Sequence, residues 1–333
     1  MTNFTFASAA TFNAAKSTLV GDSSSDTLSF VSASSVALTD DDFIGFDLVT
    51  DSTTQFEVLV GSSAANSIKL GSYAQNTGIV SVFGGASNDT LDLSNFSTSV
   101  TIDGGNGDDS ILGGAFADSL IGGAGNDFFA VDHSSDIVLE NTSSGTDSVS
   151  SQINGYTLVN NVEYLILDRD IATGYGNSLA NTIVGNSVDN TLDGGTGADT
   201  LVGGAGNDFY LVDSTGDVIY ESTGADSVNS NVDGYTLTSG AAVEFFVLGT
   251  NSTTGYGNAS SNTLIGNSLA NTLDGGAGND SLVGGTSNDY YIIDSISDAV
   301  YELVGEGSDS VYANVSSYTL AADTEILILG GTT

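Results

Sequence analysis

The sequence predicts an all-β solenoid, and three observations carry that expectation. A nine-residue phrase recurs through much of the chain; Leu, Ile and Val return at fixed places inside it; and neither Pro nor Cys occurs among the 333 residues. The phrase is Gly-Gly-x-Gly-x-Asp-x-Leu/Ile-x, read from Gly122 to Ala130 as GGAGNDFFA. Repetition on this scale builds stacked units rather than one globular core. Absence of Pro suits long ladders of paired strands, where a missing N–H would break the hydrogen bonding.

Full six-residue heads begin at Gly104, Gly122, Gly194, Gly203 and Gly275, with looser copies at Gly84, Gly113 and Gly284. The glycines permit left-handed or closely packed backbone at a turn. The triplet that follows a turn, such as Ser-Leu-Ile at 119–121, makes a short strand with its middle residue inward. Two nonapeptides complete a coil of 18 residues, and coils stack at roughly 4.8 Å, the spacing of paired strands. Helix is disfavoured by the density of Gly and β-branched residues.

From Asn95 a longer period of 81 residues is superimposed, visible in GNSLANTIV from Gly176 against GNASSNTLI from Gly257. It divides the chain into modules 95–175, 176–256 and 257–333, the last stopping four residues short of its register. Each module is a nonapeptide block followed by an arm expected to be irregular: 145–158, 224–237 and 307–320 match one another. The arms end in VEYLIL (162–167), VEFFVL (243–248) and TEILIL (324–329), apolar runs that read as buried strands. Residues 1–94 are rich in Ser, Ala and Thr, with weak nonapeptide echoes from Gly21 and Gly61. They read as an atypical β-rich cap of the kind solenoids require.

Charge sets the chemistry. Forty-two Asp and Glu stand against Lys16, Lys69 and Arg169, a formal charge of -39 that strains a compact state unless cations bind it. Nucleic acid is excluded as a partner because phosphate binding needs clustered Lys and Arg. Membrane insertion is not expected, since no run of about 18 apolar residues appears. The segment MTNFTFASAATFNAAK lacks a basic stretch followed by an apolar core, so any export is expected to proceed without a cleaved N-terminal signal. With no Cys and a single His, His133, the metal chemistry open to the chain is hard and oxygen-based.

An 18-residue coil places the sixth residues of alternate repeats one above the other. The resulting pairs are Asp109 with Asp127, Asp118 with Asp136, Asn190 with Asp208, Asp199 with Asp217, Asn271 with Asp289, and Asp280 with Asp298. Two carboxylates about 5 Å apart repel by roughly 3 kcal/mol at an effective dielectric near 20, and a cation between them reverses the sign. Carboxylates and carbonyls on a flexible turn suit Ca²⁺ better than Mg²⁺, which demands strict octahedra. At about ten times a Kd of roughly 10⁻⁴ to 10⁻³ M, each site adds about 1.4 kcal/mol. Six such sites add on the order of 8 kcal/mol, a typical whole folding stability.

These phrases resemble the repeats-in-toxin (RTX) calcium-binding family, whose signature is GGxGxDxUx and whose fold is the parallel β-roll. The likeness covers about 84–139, 176–220 and 257–301. It implies type I secretion through an uncleaved C-terminal signal, folding outside the cell in Ca²⁺, and turn carbonyls around Gly104, Gly122, Gly194, Gly203 and Gly275 as further ligands. Ser87, Phe116 and Ser287 depart from the pattern at the fourth glycine, and Asn181, Asn190, Asn262 and Asn271 at the Asp. The Asn sites are expected to be weaker or empty, with stacked amides as an alternative. Val100 stands opposite Asp118, where no site is expected.

No HExxH, GxSxG or nucleophilic Cys occurs, and His133 falls where other modules carry Ser214 and Ser295, so the chain is not expected to be an enzyme. Tyr156, Tyr235 and Tyr318 share one arm position and Tyr175 and Tyr256 another, expected to serve packing, with stacking on a cell-surface glycan as the alternative. The expected function is that of a secreted, extracellular or cell-surface structural protein, a surface-layer, filament or matrix subunit that joins head to tail with its own copies in Ca²⁺. The alternatives are a calcium-dependent adhesin or carbohydrate-binding module and, further off, an accessory region of an enzyme.

Overall fold

The computed structural model describes residues 3–6, 27–30, 37–38, 58–61, 63–70, 79–142 and 145–330. Among them every regular element is a short β-strand, none is a helix, and the strand pairing is parallel throughout. The chain is a parallel β-solenoid, as its repeats predict. Its packing divides into two compact units, Met1–Ile153 with Val159–Tyr164, and Asn154–Leu158 with Leu165–Thr333.

In the first unit, strands Thr101–Asn106, Ser119–Ala124 and Ile137–Leu139 lie side by side, Ser119 opposite both Thr101 and Ile137 at the expected separation of 18 residues. A second stack carries Ser110–Leu112, Phe128–Val131 and Ser148–Ser151, with Phe128 opposite Ser110 and Ser148. The middle residue of each triplet points inward: Ile102, Ile111, Leu120 and Phe129 are fully buried. Burying such a side chain contributes roughly 1.5–3 kcal/mol, and the single-residue alternation leaves its polar neighbours on the outer surface. Coil length varies. Thr90 pairs with Ser110 twenty residues on, and Ser67 with Thr90 twenty-three residues on, the extra residues being taken up between strands.

The second unit repeats this arrangement. One stack runs from Tyr156–Thr157 through Thr191–Asp193, Phe209–Val212 and Ser227–Ser230 to Ala299–Tyr301. Another runs from Tyr235–Thr236 through Thr272–Asp274 and Tyr290–Ile293 to Ile326–Leu329. Leu192, Tyr210, Val228, Leu273 and Tyr291 fill its interior.

Coils approach so closely that some turns admit only glycine. Gly123 has φ 111°, and a Cβ there would overlap the carbonyl of Gly105 in the neighbouring coil. Ser87 and Ser287 keep this left-handed backbone, at φ 68° and 88°, although each carries a side chain. Phe116, the third substitution of that glycine, does not adopt it and is exposed.

The arms depart from expectation. They continue the winding, because Ser148–Ser151, Ser227–Ser230 and Ser310–Ala313 each pair with the strand before in parallel register. Of the three apolar runs, the strands of the first two are buried only at alternate residues, Leu165 and Leu167, Phe246 and Leu248, with Tyr164, Ile166 and Phe245 exposed, whereas Ile326–Leu329 is exposed along its whole length. That strand pairs with Ser310–Ala313 on one edge, and no other described strand lies against its second edge. Within 1–94, strands Val58–Val60, Ser67–Lys69, Ser81–Ala86 and Thr90–Asp92 wind as the repeats do. Most of the expected cap, including the start of the echo at Gly21, lies outside the described residues.

Candidate metal centre

The sixth-position residues form ladders. In each, the backbone N–H of one sixth residue donates to Oδ1 of the sixth residue in the next coil: Asp89 to Asp109 at 2.7 Å, Asp109 to Asp127 at 2.8 Å, and Asp127 to Asp147 at 2.8 Å. The second unit repeats the link from Asn190 to Asp208 (2.6 Å), Asp208 to Asp226 (2.7 Å), Asn271 to Asp289 (2.7 Å), Asp199 to Asp217 (3.0 Å) and Asp280 to Asp298 (3.0 Å). Asp118 likewise donates to Asp136 at 2.9 Å, and Val100 contributes only its N–H to Asp118. The structure thus brings together all six pairs read from the 18-residue spacing. The ladder 89–109–127–147 follows the chain through steps of 20 and 18 residues, so a hydrogen bond rather than strict periodicity holds the register.

The second carboxylate oxygen separates two kinds of position. At Asp118, Asp136, Asp217 and Asp298, Oδ2 accepts an N–H of its own turn, from Gly114 (2.6 Å), His133 (3.0 Å), Ser214 (3.2 Å) and Ser295 (3.0 Å). At Asp89, Asp109, Asp127, Asp199, Asp208, Asp226, Asp280 and Asp289, Oδ2 is buried with no hydrogen-bond donor. An unpaired buried charge costs several kcal/mol, so these eight oxygens demand a counter-ion or a proton.

Electrostatics agrees. Burial, joined by the charges of Asp127 and Asp89, pushes the Asp109 carboxyl up to about 7, and burial holds Asp127, Asp199, Asp280 and Asp289 at about 6. Asp208 is raised in the same direction, by burial and then by Glu221.

The first-position glycine supplies the space. A Cβ on Gly104 would overlap Asp109 Oδ2 and stand 2.8 Å from the carbonyl oxygen of Gly122; one on Gly84 would meet Asp89 Oδ2 and, at 2.6 Å, the Gly104 carbonyl. The carbonyls of Gly194, Gly203 and Gly275 face the same hollows at Gly176, Gly185 and Gly257. All five glycines expected to present turn carbonyls therefore aim them where a sixth-position side chain of the neighbouring coil also points. At Gly84 and Gly104 a bare carboxylate oxygen lies beside a carbonyl oxygen, a donor set that fits Ca²⁺, whereas at Gly176, Gly185 and Gly257 the side chain is that of Asn181, Asn190 or Asn262.

The Asn positions satisfy themselves. Nδ2 of Asn190 donates to the Ile171 carbonyl (2.9 Å), that of Asn262 to Val243 (2.7 Å) and that of Asn271 to Ser252 (3.3 Å), while their Oδ1 atoms accept the N–H groups of Asn186, Asn258 and Asn267. Amide bonds to main chain thus replace the stacked-amide alternative, because the coil beneath presents a carbonyl there. Tyr235 is buried, edge-on to Phe246 with centroids 5.9 Å apart, and its hydroxyl donates to the Asp217 carbonyl (3.3 Å).

Sequence reasoning missed Asp89, Asp147, Asp226 and Asp309 as ladder members, and Glu140, Glu221 and Glu302 beside them. Asp127 with Glu140 and Asp147, Asp208 with Glu221 and Asp226, and Asp289 with Glu302 and Asp309 each bring three carboxylates within 4.8 Å. The signal was present: ESTGAD (221–226) is a nonapeptide head whose first two Gly have become Glu and Ser, and ENTSSGTD (140–147) and ELVGEGSD (302–309) are such a head lengthened by two residues.

Hollows lined by carboxylates and turn carbonyls along a parallel β-solenoid define a calcium-binding β-roll. The model of the RTX calcium-binding nonapeptide repeat matches the chain in four copies, at 76–97, 103–132, 175–210 and 256–291, so residues 76–291 carry repeats of the RTX calcium-binding family. Such repeats bind Ca²⁺, and proteins that carry them are typically secreted by type I systems. No curated protein matches the chain.

Proposed function

We propose that this chain is a secreted, non-enzymatic structural protein that folds on meeting millimolar Ca²⁺ outside the cell and then assembles with its own copies into a surface layer, filament or matrix. Its buried, donorless carboxylates support the calcium-gated part: they oppose folding without a cation and favour it with one. Almost every described residue belongs to the winding and its turns. The single histidine is engaged in its turn, with Nδ1 accepting the Ser135 N–H at 3.2 Å.

The observation that carries the assembly reading is the strand Ile326–Leu329. Its residues Leu327 and Leu329 are 36% and 65% exposed, while their counterparts Leu165, Leu167, Phe246 and Leu248 are at most 4% exposed. In the second module Phe246 pairs with Leu264 of the following coil. A second copy of the chain, supplying a coil to the free edge of Ile326–Leu329, would complete the pairing, and contact between unlike ends of this kind propagates rather than closes.

Deleting residues 324–333 should leave a chain that folds in Ca²⁺ but no longer forms large species in sedimentation velocity or electron microscopy. Identical sedimentation of truncated and intact chains in Ca²⁺ would defeat the assembly reading and leave a calcium-dependent adhesin as the alternative. The burial of Tyr235 removes one of the aromatic faces on which glycan binding would rest.

A further inference from the structure

We propose that each module closes on an additional cation site of a different kind, in which Glu140, Glu221 or Glu302 replaces the turn glycine and completes a buried three-carboxylate pocket for a hard, oxygen-seeking cation. The inference rests on the calcium reading above and adds to it a site made of side chains rather than turn carbonyls.

At Gly84 and Gly104 the first residue of a head is glycine, and the space beside it is left to a sixth-position Oδ2 and a carbonyl. At the hollow of Gly203 a Cβ would instead meet Asp208 Oδ2, Glu221 Oε2 and the Tyr210 hydroxyl, and at Gly122 it would meet Glu140 Oε1 and Asp127 Oδ2. The glutamate of the next coil therefore reaches back into the hollow. Asp208 and Asp226 are 1% and 0% exposed, and the Oδ2 atom of each is aimed into the cluster with no hydrogen-bond donor. In the third module the same holds for Asp289 Oδ2 and Glu302 Oε2.

The remaining bonds orient the glutamate. Tyr210 donates its hydroxyl to Glu221 Oε2 and Tyr291 donates to Glu302 Oε1; Glu221 Oε1 accepts the N–H groups of Ser222 (2.6 Å) and Thr223 (3.1 Å). No histidine joins any of the three clusters. Three carboxylates within 4.8 Å of one another carry up to three negative charges and offer only oxygen ligands. That charge and donor set favour Ca²⁺, and a trivalent lanthanide still more. Glu221 also lines a surface groove with Tyr220 and Ser239, which gives an ion a route in. Three clusters at the same module position, Asp127, Asp208 and Asp289 being 81 residues apart, make the pocket a feature of the module.

The test compares the full chain with the triple variant Glu140→Gln, Glu221→Gln, Glu302→Gln by equilibrium dialysis against Ca²⁺ and by circular dichroism. The variant is expected to fold in saturating Ca²⁺ and to bind three fewer ions per chain, one for each cluster. An unchanged number of ions bound at unchanged affinity overturns the inference while leaving the calcium reading intact; a wild-type chain that binds no Ca²⁺ overturns both.

Should the triple variant not fold, the pair Tyr210→Phe, Tyr291→Phe supplies the readout, since the first module already carries Phe129 at that position. With Tb³⁺ as the probe, it is expected to bind as many ions as wild type yet lose most of the tyrosine-sensitised emission. Emission equal to wild type would place the ion elsewhere and refute the site.

Discussion

Replacing Asp109 by Asn should change the sign of its effect according to whether calcium is present. Asp109 stands between Asp89 and Asp127 in the ladder, is 2% exposed, and has one oxygen bonded and one without a donor. Without metal, each neighbouring carboxylate about 5 Å away repels it by roughly 3 kcal/mol at an effective dielectric near 20. An uncharged amide removes that repulsion, and Asn190 demonstrates that an amide is accommodated at a sixth position by donating to a main-chain carbonyl. A gain of about 3 kcal/mol in chelator is expected, allowing for partial protonation of the carboxylate. With Ca²⁺, the same change removes the ligand that Asp109 Oδ2 offers at the Gly104 hollow, so the roughly 1.4 kcal/mol that a site contributes at ten times Kd is lost. Urea unfolding followed by circular dichroism reads the loss in Ca²⁺. In chelator, the concentration of trimethylamine N-oxide that restores the β signal reads the gain. A variant equally destabilised in both conditions would mean that Asp109 acts only as a hydrogen-bond acceptor, and the cation argument would be wrong.

Acid should restore the metal-free fold rather than destroy it. Burial raises the carboxyls of Asp109 and Asp226 to about 7 and those of Asp118, Asp127, Asp199, Asp280 and Asp289 to about 6, against about 3.9 for an unfolded Asp. The folded chain therefore binds more protons than the unfolded one between about pH 4 and 7, and its stability falls as pH rises through that window. In chelator the β signal is expected to grow as pH is lowered from 7.5 toward 4.5; a steady loss on acidification would contradict this. Ser287→Gly should relieve the left-handed backbone at φ 88° and stabilise the calcium-loaded chain by about 1 kcal/mol, less the 3.0 Å bond from its hydroxyl to the Ser268 carbonyl. A lower urea midpoint for that variant would show the hydroxyl bond to outweigh the strain.

The winding was legible because two signals coincided: a glycine where coils touch, and an apolar residue two places beyond each sixth-position Asp. Asp208 and Tyr210 display the second within three residues, and the fold places one at the Gly203 hollow and the other in the core. What periodicity could not convey was which oxygen would lack a donor. Asp118 and Asp127 occupy equivalent places in sequence, yet the Gly114 N–H turns toward the first and none reaches Oδ2 of the second. Glu221 was hidden for another reason. The repeat was defined by glycine at its first position, so a head beginning with Glu passed for irregular arm, although the ladder runs straight through it to Asp226. The exposed TEILIL run shows the remaining gap: a run of apolar residues states a preference for burial, but whether it is met depends on a neighbour that the run itself does not encode.

The unequal coils have a consequence for how such a chain can change. Ser67 and Thr90 are twenty-three residues apart, Thr90 and Ser110 twenty, and Ser110 and Phe128 eighteen, yet the inward residues Ile68, Leu91, Ile111 and Phe129 remain in line and fully buried. Length added at a corner is therefore invisible to the interior. A foreign peptide grafted into such a corner would be presented on the rim at fixed intervals, with the thread of the screw unaltered beneath it.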